Sequence, residues 1–232
     1  MELKAEQISK QYFRRTGEAN NFYAVWEASL ELKAGTVTVL CGRSGSGKTT
    51  LLNMLSGLLR PTAGKVWLDG TELFSLPDRE LSELRSRCIG VIPQGRSMLD
   101  TLTVEENILL QRELYNTGAF REDAAKWMER LHIENLAKAR SSELSGGEQR
   151  RAAIARTMTA GTQVILADEP TGDLDDENTG LVFSCFREAA DLGSAILIVS
   201  HETDALQIAD FAYRMDAGTL TAISQKDRRR TL

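Results

Sequence analysis

The stretch that determines the fold is VTVLCGRSGSGKTTLLNML, residues 37–55. Its first four residues are apolar or β-branched, and a short run of this kind bounded by glycine predicts a strand covered on both faces. Residues 42–49 match the phosphate-loop pattern G-x-x-x-x-G-K-[ST] at every fixed position. A helical pattern follows at once. Strand, glycine-rich loop and helix in this order predict a cradle for phosphate groups.

The glycines of this loop allow successive backbone N–H groups to point inward, next to the positive end of the following helix. Lys48 is expected to reach the β- and γ-phosphates of a nucleotide, and the Thr49 hydroxyl to ligate the Mg²⁺ that bridges them. The alternative, a glycine-rich turn with a solvated lysine, does not account for the strand and helix on either side. The candidate nucleotide-binding residues of the loop are Gly42, Arg43, Ser44, Gly45, Ser46, Gly47, Lys48, Thr49 and Thr50.

The composition narrows the classes of protein to which the chain can belong. Its 232 residues allow one large domain or two small ones, and its net charge of 28 − 33 = −5 disfavours a protein that coats nucleic acid. Three scattered cysteines and two histidines predict a reducing compartment and no zinc site. No stretch approaches the about 20 apolar residues that cross a bilayer, and no apolar signal segment follows Met1. We therefore expect a cytoplasmic, soluble chain.

Before the phosphate loop, short alternating segments between residues 2 and 32 predict strands with one covered face. Residues 65–70, after the loop, predict another strand that ends in an Asp-Gly turn. Tyr12 lies beside the first strand, ahead of a polar loop at residues 14–21, and could stack on an adenine ring. Taken alone, Tyr12 is better explained as a core or rim aromatic.

Three predicted core strands end in side chains suited to catalysis. Gln94 closes one of them, and its amide can ligate Mg²⁺ or hold a water. Asp168 and Glu169 close another. Adjacent carboxylates repel each other, and Mg²⁺ held through water by Asp168 would relieve this repulsion. Glu169 could then orient or deprotonate the attacking water. His201 closes the third, where it can hydrogen-bond a γ-phosphate, although a lone histidine is usually structural. The runs before them are residues 89–92, 164–167 and 195–199.

Residues 95–161 predict an all-helical insert. Helices are expected from Thr103 and over residues 121–136, with His132 on the surface of the second helix. An amphipathic helix at residues 78–87 precedes the insert. The insert is therefore expected to pack on the core through the apolar faces of its helices.

The insert ends with LSGGEQ, residues 144–149, ahead of a helix-forming run rich in Ala and Arg. Ser145 and Glu148 have the spacing of a capping box, so Ser145 is expected to begin that helix. Gly146 and Gly147 leave its first N–H groups uncovered by side chains. The simple interpretation is a well-capped helix, but a bare helix N-terminus is also a second candidate anion site.

The remaining segments carry weaker signals. Residues 173–176 form an acidic turn, and short strands are expected around residues 211–215 and 219–223. The basic run at residues 226–230 is most often a solvated tail, with anionic lipid headgroups as a minor alternative. Oxidation of Cys41, beside the phosphate loop, could block nucleotide entry, but a small buried core residue is the better explanation.

In their order along the chain, residues 42–49, Gln94, LSGGEQ, VILADEP at 164–170 and His201 resemble the ATP-binding-cassette (ABC) ATPases. The resemblance spans essentially the whole chain and implies one domain, residues 1–232. The implied fold is α/β, of the P-loop NTPase and ABC ATPase type, with a parallel core sheet, an antiparallel β flank and an α-helical insert. Its implied parts are a RecA-like core with the antiparallel part at residues 1–94 and 162–232, and a helical subdomain with the signature motif at residues 95–161.

The same resemblance implies roles for individual residues. Tyr12 would stack on the adenine of ATP, with Phe13 as the alternative. The implied catalytic residues are Glu169, His201, Lys48 and Gln94, and the implied Mg²⁺ ligands are Thr49, Gln94 and Asp168. The residues implied to contact ATP on a partner copy are Ser145, Gly146, Gly147 and Glu148 of the signature, with Asp175 in the neighbouring D-loop.

Three segments are similar to the macrolide-exporter and lipoprotein-release branch of the family: residues 78–94, 101–110 and 167–175. This branch implies an ATP-hydrolysing subunit on the cytoplasmic face of the cell membrane. It would drive export or membrane extraction of a hydrophobic compound, peptide or lipoprotein through a separate transmembrane permease. Asp173 departs from the Asn common in this branch and adds negative charge near the implied dimer interface.

A two-fold, head-to-tail homodimer would place each signature on the partner's γ-phosphate, so that ATP binding closes the dimer and hydrolysis opens it. The permease contact is expected at residues 95–102, where Leu99, Leu102 and Met98 would form an apolar groove for a short helix. No nucleic-acid partner is expected.

Other functions compete with this interpretation. A regulatory ABC ATPase of a non-transporting membrane complex, for cell division or antibiotic sensing, is the main alternative. Soluble ABC machines of DNA repair or translation generally need two cassettes or a long coiled coil, and the chain has neither. A small-molecule kinase would not carry LSGGEQ.

Overall fold

The computed structural model describes residues 1–13, 21–115, 121–201 and 204–224. The strands are β1 (Glu2–Phe13), β2 (Asn21–Lys33), β3 (Val37–Cys41), β4 (Ala63–Leu68), β5 (Thr71–Glu72), β6 (Ile89–Ile92), β7 (Val164–Asp168), β8 (Ala195–Ser200), β9 (Phe211–Asp216) and β10 (Thr219–Ala222). The α-helices are α1 (Lys48–Leu55), α2 (Asp78–Cys88), α3 (Val104–Tyr115), α4 (Arg121–Arg130), α5 (Gly146–Ala160) and α6 (Asp176–Asp191). The expected polar loop, apart from Asn21 at the start of β2, and the basic run at 226–230 lie outside the described residues.

A six-stranded sheet, in the order β10-β9-β3-β8-β7-β6, forms the core. Strand β3 lies between β9 and β8 and is parallel to both, and β7 and β6 continue the parallel arrangement. Only its edge strand β10 is antiparallel to its neighbour. Parallel strands end at a common edge, so the residues that follow β3, β6, β7 and β8 meet there. The predicted parallel core is confirmed.

An antiparallel sheet in the order β2-β1-β4-β5 flanks the core. Strands β1 and β2 are 12 and 13 residues long, longer than the short segments expected from the sequence. The reason is that β-bulges shift the register of their pairing, with Gln7 at a φ of 47° and Glu27 at 44°. A bulge interrupts the alternation of inward and outward side chains, so one long strand resembles two short ones in sequence.

Two apolar clusters cover the opposite faces of the core sheet. Along β8, Ile196 and Ile198 face the cluster that contains α3, α5 and α6. Leu197 and Val199, between and after them, face the cluster formed with α1 and the antiparallel sheet. This alternation follows from the two-residue period of a strand, and it explains why the core strands are apolar at every position.

The helices of the insert form as expected except for α4. This helix ends at Arg130, so the expected helix over residues 121–136 is wrong in its last part. His132 follows α4 in a turn with a φ of 52°, and Leu131 and Ile133 on either side of it are buried. The chain leaves the helix here because a left-handed residue lets both apolar neighbours reach the core. The boundaries of the helical subdomain stay a prediction.

Over the same ranges, no helix combines the length and the apolar character needed to cross a membrane.

Candidate functional site

The phosphate loop joins β3 to α1 and is pressed against neighbouring backbone. Gly47, the residue before α1, has a φ of 108°, and no side chain caps the helix there. A Cβ on Gly47 would collide with the carbonyl oxygen of Ala24, and one on Gly42 with that of Met215. Close packing of the loop against the sheets therefore requires both glycines, and the positive φ of Gly47 is a second reason for glycine at that position.

Lys48 lies inside this loop, with only 6% of its surface exposed. Its Nζ donates to the carbonyl oxygens of Gly42, at 2.7 Å, and Arg43, at 3.0 Å. Neutral carbonyls are weaker partners for an ammonium than a charged oxygen, so a phosphate oxygen can replace them.

A cavity of about 770 Å³ opens over the loop. Its lining combines aromatic side chains, residues of the phosphate loop, and Gln94 and Glu169. Tyr12 stacks on Phe22 with ring centroids 5.8 Å apart, while Phe13 is 76% exposed. The structure thus brings both sequence candidates for adenine stacking to the cavity. The aromatic and loop residues in its lining are Tyr12, Phe13, Phe22, Tyr23, Ser44, Gly45, Ser46, Gly47, Lys48, Thr49 and Thr50.

A second cavity, of about 880 Å³, shares Ser44, Gln94 and Glu169 with the first. Cys41, Gly42, Arg43 and His201 also line it. Burial raises the pKa of the Cys41 thiol, although Arg214 and Lys48 oppose the shift. Cys41 is also packed against the core cluster. A protonated, packed thiol supports its interpretation as a core residue.

Three candidate catalytic side chains form a hydrogen-bonded row at the carboxyl edge of the core sheet. Nε2 of Gln94 donates to Oε2 of Glu169 at 2.7 Å, and Nδ1 of His201 lies 3.1 Å from Oε1 of the same carboxylate. Glu169 has a φ of 48°, a left-handed conformation that is strained for this residue type. The strained backbone turns the side chain of Glu169 towards Gln94 and His201, which come from the ends of β6 and β8.

Asp168 is the last residue of β7 and is 3% exposed. Its Oδ2 accepts a hydrogen bond of 2.7 Å from the Thr49 hydroxyl. Burial is the main cause of a raised pKa at Asp168, with Glu169 adding to it and the Thr49 bond opposing it. A buried carboxylate beside a hydroxyl is a hard-oxygen donor set that fits Mg²⁺, and the cation would remove the cost of burying the charge.

The N-terminus of α5, here called its head, carries the predicted capping box. Oε2 of Glu148 accepts from the Ser145 backbone N–H at 2.8 Å and from the Ser145 hydroxyl at 2.7 Å. These bonds lower the pKa of Glu148. A Cβ on Gly146 would meet open space, whereas one on Gly147 would lie 3.2 Å from the Leu174 side chain.

The D-loop lies beside this head. Asp175 caps α6 by accepting from the backbone N–H of Asn178 at 2.8 Å. Arg151 of α5 donates to the side chain of Asn178 at 2.9 Å and so joins the two helices.

The phosphate loop and the signature are not brought together within one chain. Among the described residues, neither cavity over the loop is lined by any residue of the signature. The second candidate anion site, at the start of α5, therefore contributes to neither of these cavities.

One predicted surface feature is wrong, and two buried polar residues and one half-buried arginine were missed. Met98 is buried in the core cluster, so it does not share a groove with Leu99, which is 49% exposed. Arg150, Arg156 and Asn107 are held inside by carbonyl groups of the segment after β6. The two arginines gave no usable signal, because a run rich in Ala and Arg predicts a helix without showing which face is buried.

The sequence profile of the family described as ABC transporter matches residues 25–172. The lipoprotein-releasing system ATP-binding protein LolD of Psychrobacter arcticus is 37% identical over 90% of this chain and 92% of its own length. The methionine import ATP-binding protein MetN of Carboxydothermus hydrogenoformans is also 37% identical, over 84% of this chain and 59% of its own. The macrolide export ATP-binding/permease protein MacB of Brucella melitensis is 34% identical over 85% of this chain but only 31% of its own length.

Two solved structures of MJ0796 share the fold over nearly the whole of both chains. One, a dimeric bacterial ABC transporter cassette, is 30% identical with a TM-score of 0.86 and covers 94% of this chain and 96% of its own. The other, a dimeric post-hydrolysis state bound to ADP and Pi, is 28% identical with a TM-score of 0.87 and covers 96% and 99%. The fold class predicted from the sequence is confirmed.

Proposed function

The chain belongs to the ABC transporter family and is an ATPase of that family, and from this premise we propose that two copies of it clasp ATP and use its hydrolysis to drive a membrane partner. The proposal rests on one observation. The N-termini of α1 and α5 are both suited to phosphate, but among the described residues only that of α1 opens into the nucleotide cavity. A two-fold dimer supplies the missing head from the other copy. ATP then bridges the two copies.

Residues of the phosphate loop bind the nucleotide. The backbone N–H groups at the head of α1 and the Lys48 ammonium hold the β- and γ-phosphates. The aromatic side chains of the cavity hold the base, with Tyr12 stacked on adenine and its ring supported by Phe22. Phe13 remains the alternative to Tyr12, because it lines the same cavity.

Thr49, Asp168 and Gln94 hold Mg²⁺ at the phosphates. The Gln94 amide nitrogen is bonded to Glu169, which leaves its oxygen as the atom for the cation. When bound, the cation supplies charge neutralisation at the β- and γ-phosphate oxygens.

Glu169 is the proposed base that orients the attacking water and accepts its proton. Gln94 and His201 fix the rotamer of its carboxylate from either side, which positions the base before the water arrives. His201 also donates to the γ-phosphate. Hydrolysis then removes the group that the partner's signature holds, and the dimer opens.

The signature of the partner contacts the γ-phosphate through Ser145, Gly146, Gly147 and Glu148. Gly146 leaves open space beside the helix head, so a phosphate can approach the backbone closely. Asp175, at the head of the adjacent α6, lies at the dimer interface and senses closure through Asn178 and Arg151.

The membrane partner is a separate transmembrane permease, and the chain sits on the cytoplasmic face of the cell membrane. This chain matches LolD over 90% of its own length and 92% of the length of LolD, which supports this arrangement. LolD is by name the ATP-binding protein of a lipoprotein-releasing system. The work done is export or extraction of a hydrophobic compound, peptide or lipoprotein. Leu99, exposed on the segment after Gln94, is the proposed contact with the permease.

The test is to replace Glu169 by Gln and to measure the mass of the protein by light scattering with and without ATP. We expect the variant to bind ATP, to hydrolyse it at least about 100-fold more slowly than the parent, and to accumulate as a dimer. A variant that stays monomeric in saturating ATP contradicts the proposal.

The control is Glu80→Gln, an exposed carboxylate in the first turn of α2, for which hydrolysis and mass should equal those of the parent. Purification of the parent from membranes in mild detergent, followed by identification of any protein that accompanies it, tests the permease. Recovery of the chain without an integral membrane protein argues against that part of the proposal.

A further inference from the structure

The turn between β9 and β10 reaches into the nucleotide site. It consists of Ala217 and Gly218, and the residues on either side of it, Asp216 and Thr219, pair with each other. Both turn residues have a positive φ, 44° at Ala217 and 84° at Gly218, as in the tight hairpin turn that needs a left-handed conformation at both positions. Both also line the cavity over the phosphate loop. Gly218 itself is buried, although turns usually lie at the surface.

The backbone of Gly218 is hydrogen-bonded on two sides. Its N–H donates to the carbonyl oxygen of Ser46, in the phosphate loop, at 2.9 Å. Its carbonyl oxygen accepts from the backbone N–H of Trp26, in β2, at 2.8 Å. The two backbone groups of one residue therefore connect the phosphate loop to β2.

This connection joins two sheets that contribute different parts of the cavity. The phosphate loop follows β3 of the core sheet, whereas β2 is an edge strand of the antiparallel sheet. An edge strand has unpaired backbone groups on its outer side, and the bond from Trp26 to Gly218 uses one of them. Strand β2 also carries Phe22, which lies opposite Tyr12 of β1 and stacks on its ring. The aromatic rings of the cavity are thus tied to the phosphate loop through Gly218.

The turn, the phosphate loop and β2 are closely packed where they meet. A Cβ on Gly218 would lie 3.1 Å from the carbonyl oxygen of Tyr23 and 3.2 Å from that of Ala24, closer than ordinary van der Waals contact. A Cβ on Gly47, in the phosphate loop, would collide with the same Ala24 carbonyl. Two glycines, one from the turn and one from the loop, therefore pack on one residue of β2. Any other residue at position 218 must displace the turn or β2.

We propose that Gly218 is a positioning residue of the nucleotide site. It fixes the separation between the phosphate loop and the aromatic side chains on β1 and β2, so that one nucleoside triphosphate contacts both at once. Two linked contacts strengthen binding only where their spacing matches the ligand. The inference rests on the proposed function, since it assumes that the aromatic side chains hold the base. It gives a role to a turn that lies outside every motif recognised in the sequence.

The test compares the binding of ATP and of inorganic tripolyphosphate, each with Mg²⁺, to the parent and to Gly218→Ala by calorimetry. Tripolyphosphate can occupy the phosphate loop but has no base. The added Cβ presses on β2, and alanine is strained at this φ. We therefore expect ATP to bind about tenfold more weakly to the variant, and tripolyphosphate to bind within about twofold of the parent. Equal weakening of both ligands, or unchanged binding of ATP, would overturn the inference.

The matched control is Gly70→Ala. Asp69 and Gly70 form the turn between β4 and β5, with φ values of 45° and 78°, nearly the same as those of Ala217 and Gly218. Among the described residues, a Cβ on Gly70 would meet nothing within 4 Å, and Gly70 does not line the nucleotide cavity. This variant has the same backbone strain without the contact on β2, so both ligands should bind as they do to the parent. Equal losses of ATP affinity in Gly70→Ala and Gly218→Ala would overturn the inference.

A second variant, Gly218→Asn, covers the case in which Gly218→Ala does not fold. Asparagine tolerates a positive φ, but it brings a Cβ to the same place. The affinity for ATP should again fall while that for tripolyphosphate stays close to the parent value. A variant that keeps the parent's ratio of the two affinities would count against a positioning role.

Hydrogen–deuterium exchange without nucleotide tests the connection between the two sheets. In Gly218→Ala, the amide of Trp26 should exchange at least about tenfold faster than in the parent, while the amides of β3 and β7 are unchanged. An equal rate for the Trp26 amide in parent and variant contradicts the inference.

The two ligands also separate failure of the inference from failure of the proposed function. A parent that binds tripolyphosphate as tightly as ATP would contradict the proposed base site, and the inference with it. A parent that prefers ATP, with a Gly218→Ala variant that keeps this preference in full, would overturn the inference alone.

Discussion

The heads of α1 and α5 are both suited to phosphate, but they differ in what occupies them. Among the residues that the structure describes, no side chain caps α1, and the first turn of α1 contains no acidic residue. The first turn of α5 contains Glu148, whose carboxylate accepts two hydrogen bonds from Ser145. The first head is open to its own cavity, and the second is satisfied by its own side chains.

This difference indicates an order of events. A bare head with a buried lysine beside it can bind phosphate in the single chain. A capped head is stable without a ligand, so its chain can exist alone until a partner brings a γ-phosphate to it. The carboxylate of Glu148 and that phosphate then compete for the hydrogen bonds that Ser145 donates, which limits how strongly ATP holds the dimer closed.

The largest effect is expected at the first head. Lys48→Ala removes the ammonium held between the loop carbonyls, and hydrolysis should fall at least about 1,000-fold with loss of nucleotide affinity, because the charge acts directly on the phosphates. Phosphate release and binding of a fluorescent ATP analogue measure both effects. Lys126→Ala is the control, since Lys126 is exposed and pairs with Glu188. Near-normal turnover in Lys48→Ala would mean that the N-terminus of α1 takes no part in hydrolysis.

Gly146→Ala should distinguish the contribution of the second head to hydrolysis from that of the first head to nucleotide binding. Its Cβ meets open space in the described part of the chain, so folding and nucleotide binding should match those of the parent. Hydrolysis should fall about 100-fold, because the methyl group stands between the helix head and the partner's phosphate. Weaker nucleotide binding by the monomeric variant would mean that the two heads are not independent.

Gly147→Ala is the comparison for that variant. Its Cβ would press on the side chain of Leu174, so this variant should also lower the midpoint of thermal unfolding.

Ser145→Ala tests whether the second head is stabilised by its own cap. Loss of the serine hydroxyl should cost about 1 kcal/mol of unfolding free energy, read from urea denaturation. Thr101→Ala, an exposed position in the insert, should leave that free energy unchanged. A variant as stable as the parent would show that the cap contributes nothing.

The smallest effect is a pH dependence at Glu148. Hydrogen bonds from Ser145 lower its pKa from 4.5, so the ionised form stabilises the fold above about pH 4.5, and this contribution is lost as pH falls through the lowered value. The difference in urea midpoint between the parent and Glu148→Gln should therefore shrink on acidification. A difference that is constant with pH would mean that the charge of Glu148 does not stabilise the fold. Glu129→Gln, an exposed site on α4, is the control.

The first head could be predicted from sequence because its signals are local. A strand, three glycines and a lysine at fixed spacing define the loop, and the capping box at Ser145 and Glu148 is equally local. The ends of the core strands were predictable for the same reason, since apolar runs stop where polar residues begin. The parallel order of the strands brings Gln94, Glu169 and His201 together.

What could not be predicted depends on contacts between distant segments. Whether Met98 faces solvent or core is decided by the packing of the insert, and whether the Arg156 guanidinium is fully solvated or half-buried is decided by the chain at Ser97. The end of α4 is set by the burial of Leu131 and Ile133. A sequence pattern shows which positions share a face of a helix, but it does not show what lies against that face.

The central claim, that each nucleotide lies between the loop of one copy and the signature of the other, is tested by mixing Lys48→Ala with Gly146→Ala. A mixed dimer has one site in which both defects meet and one in which neither is present. Random pairing should restore roughly one quarter of the parent's hydrolysis from two inactive samples. A mixture no more active than the sum of its two components, each folded and each behaving alone as described, would contradict the account.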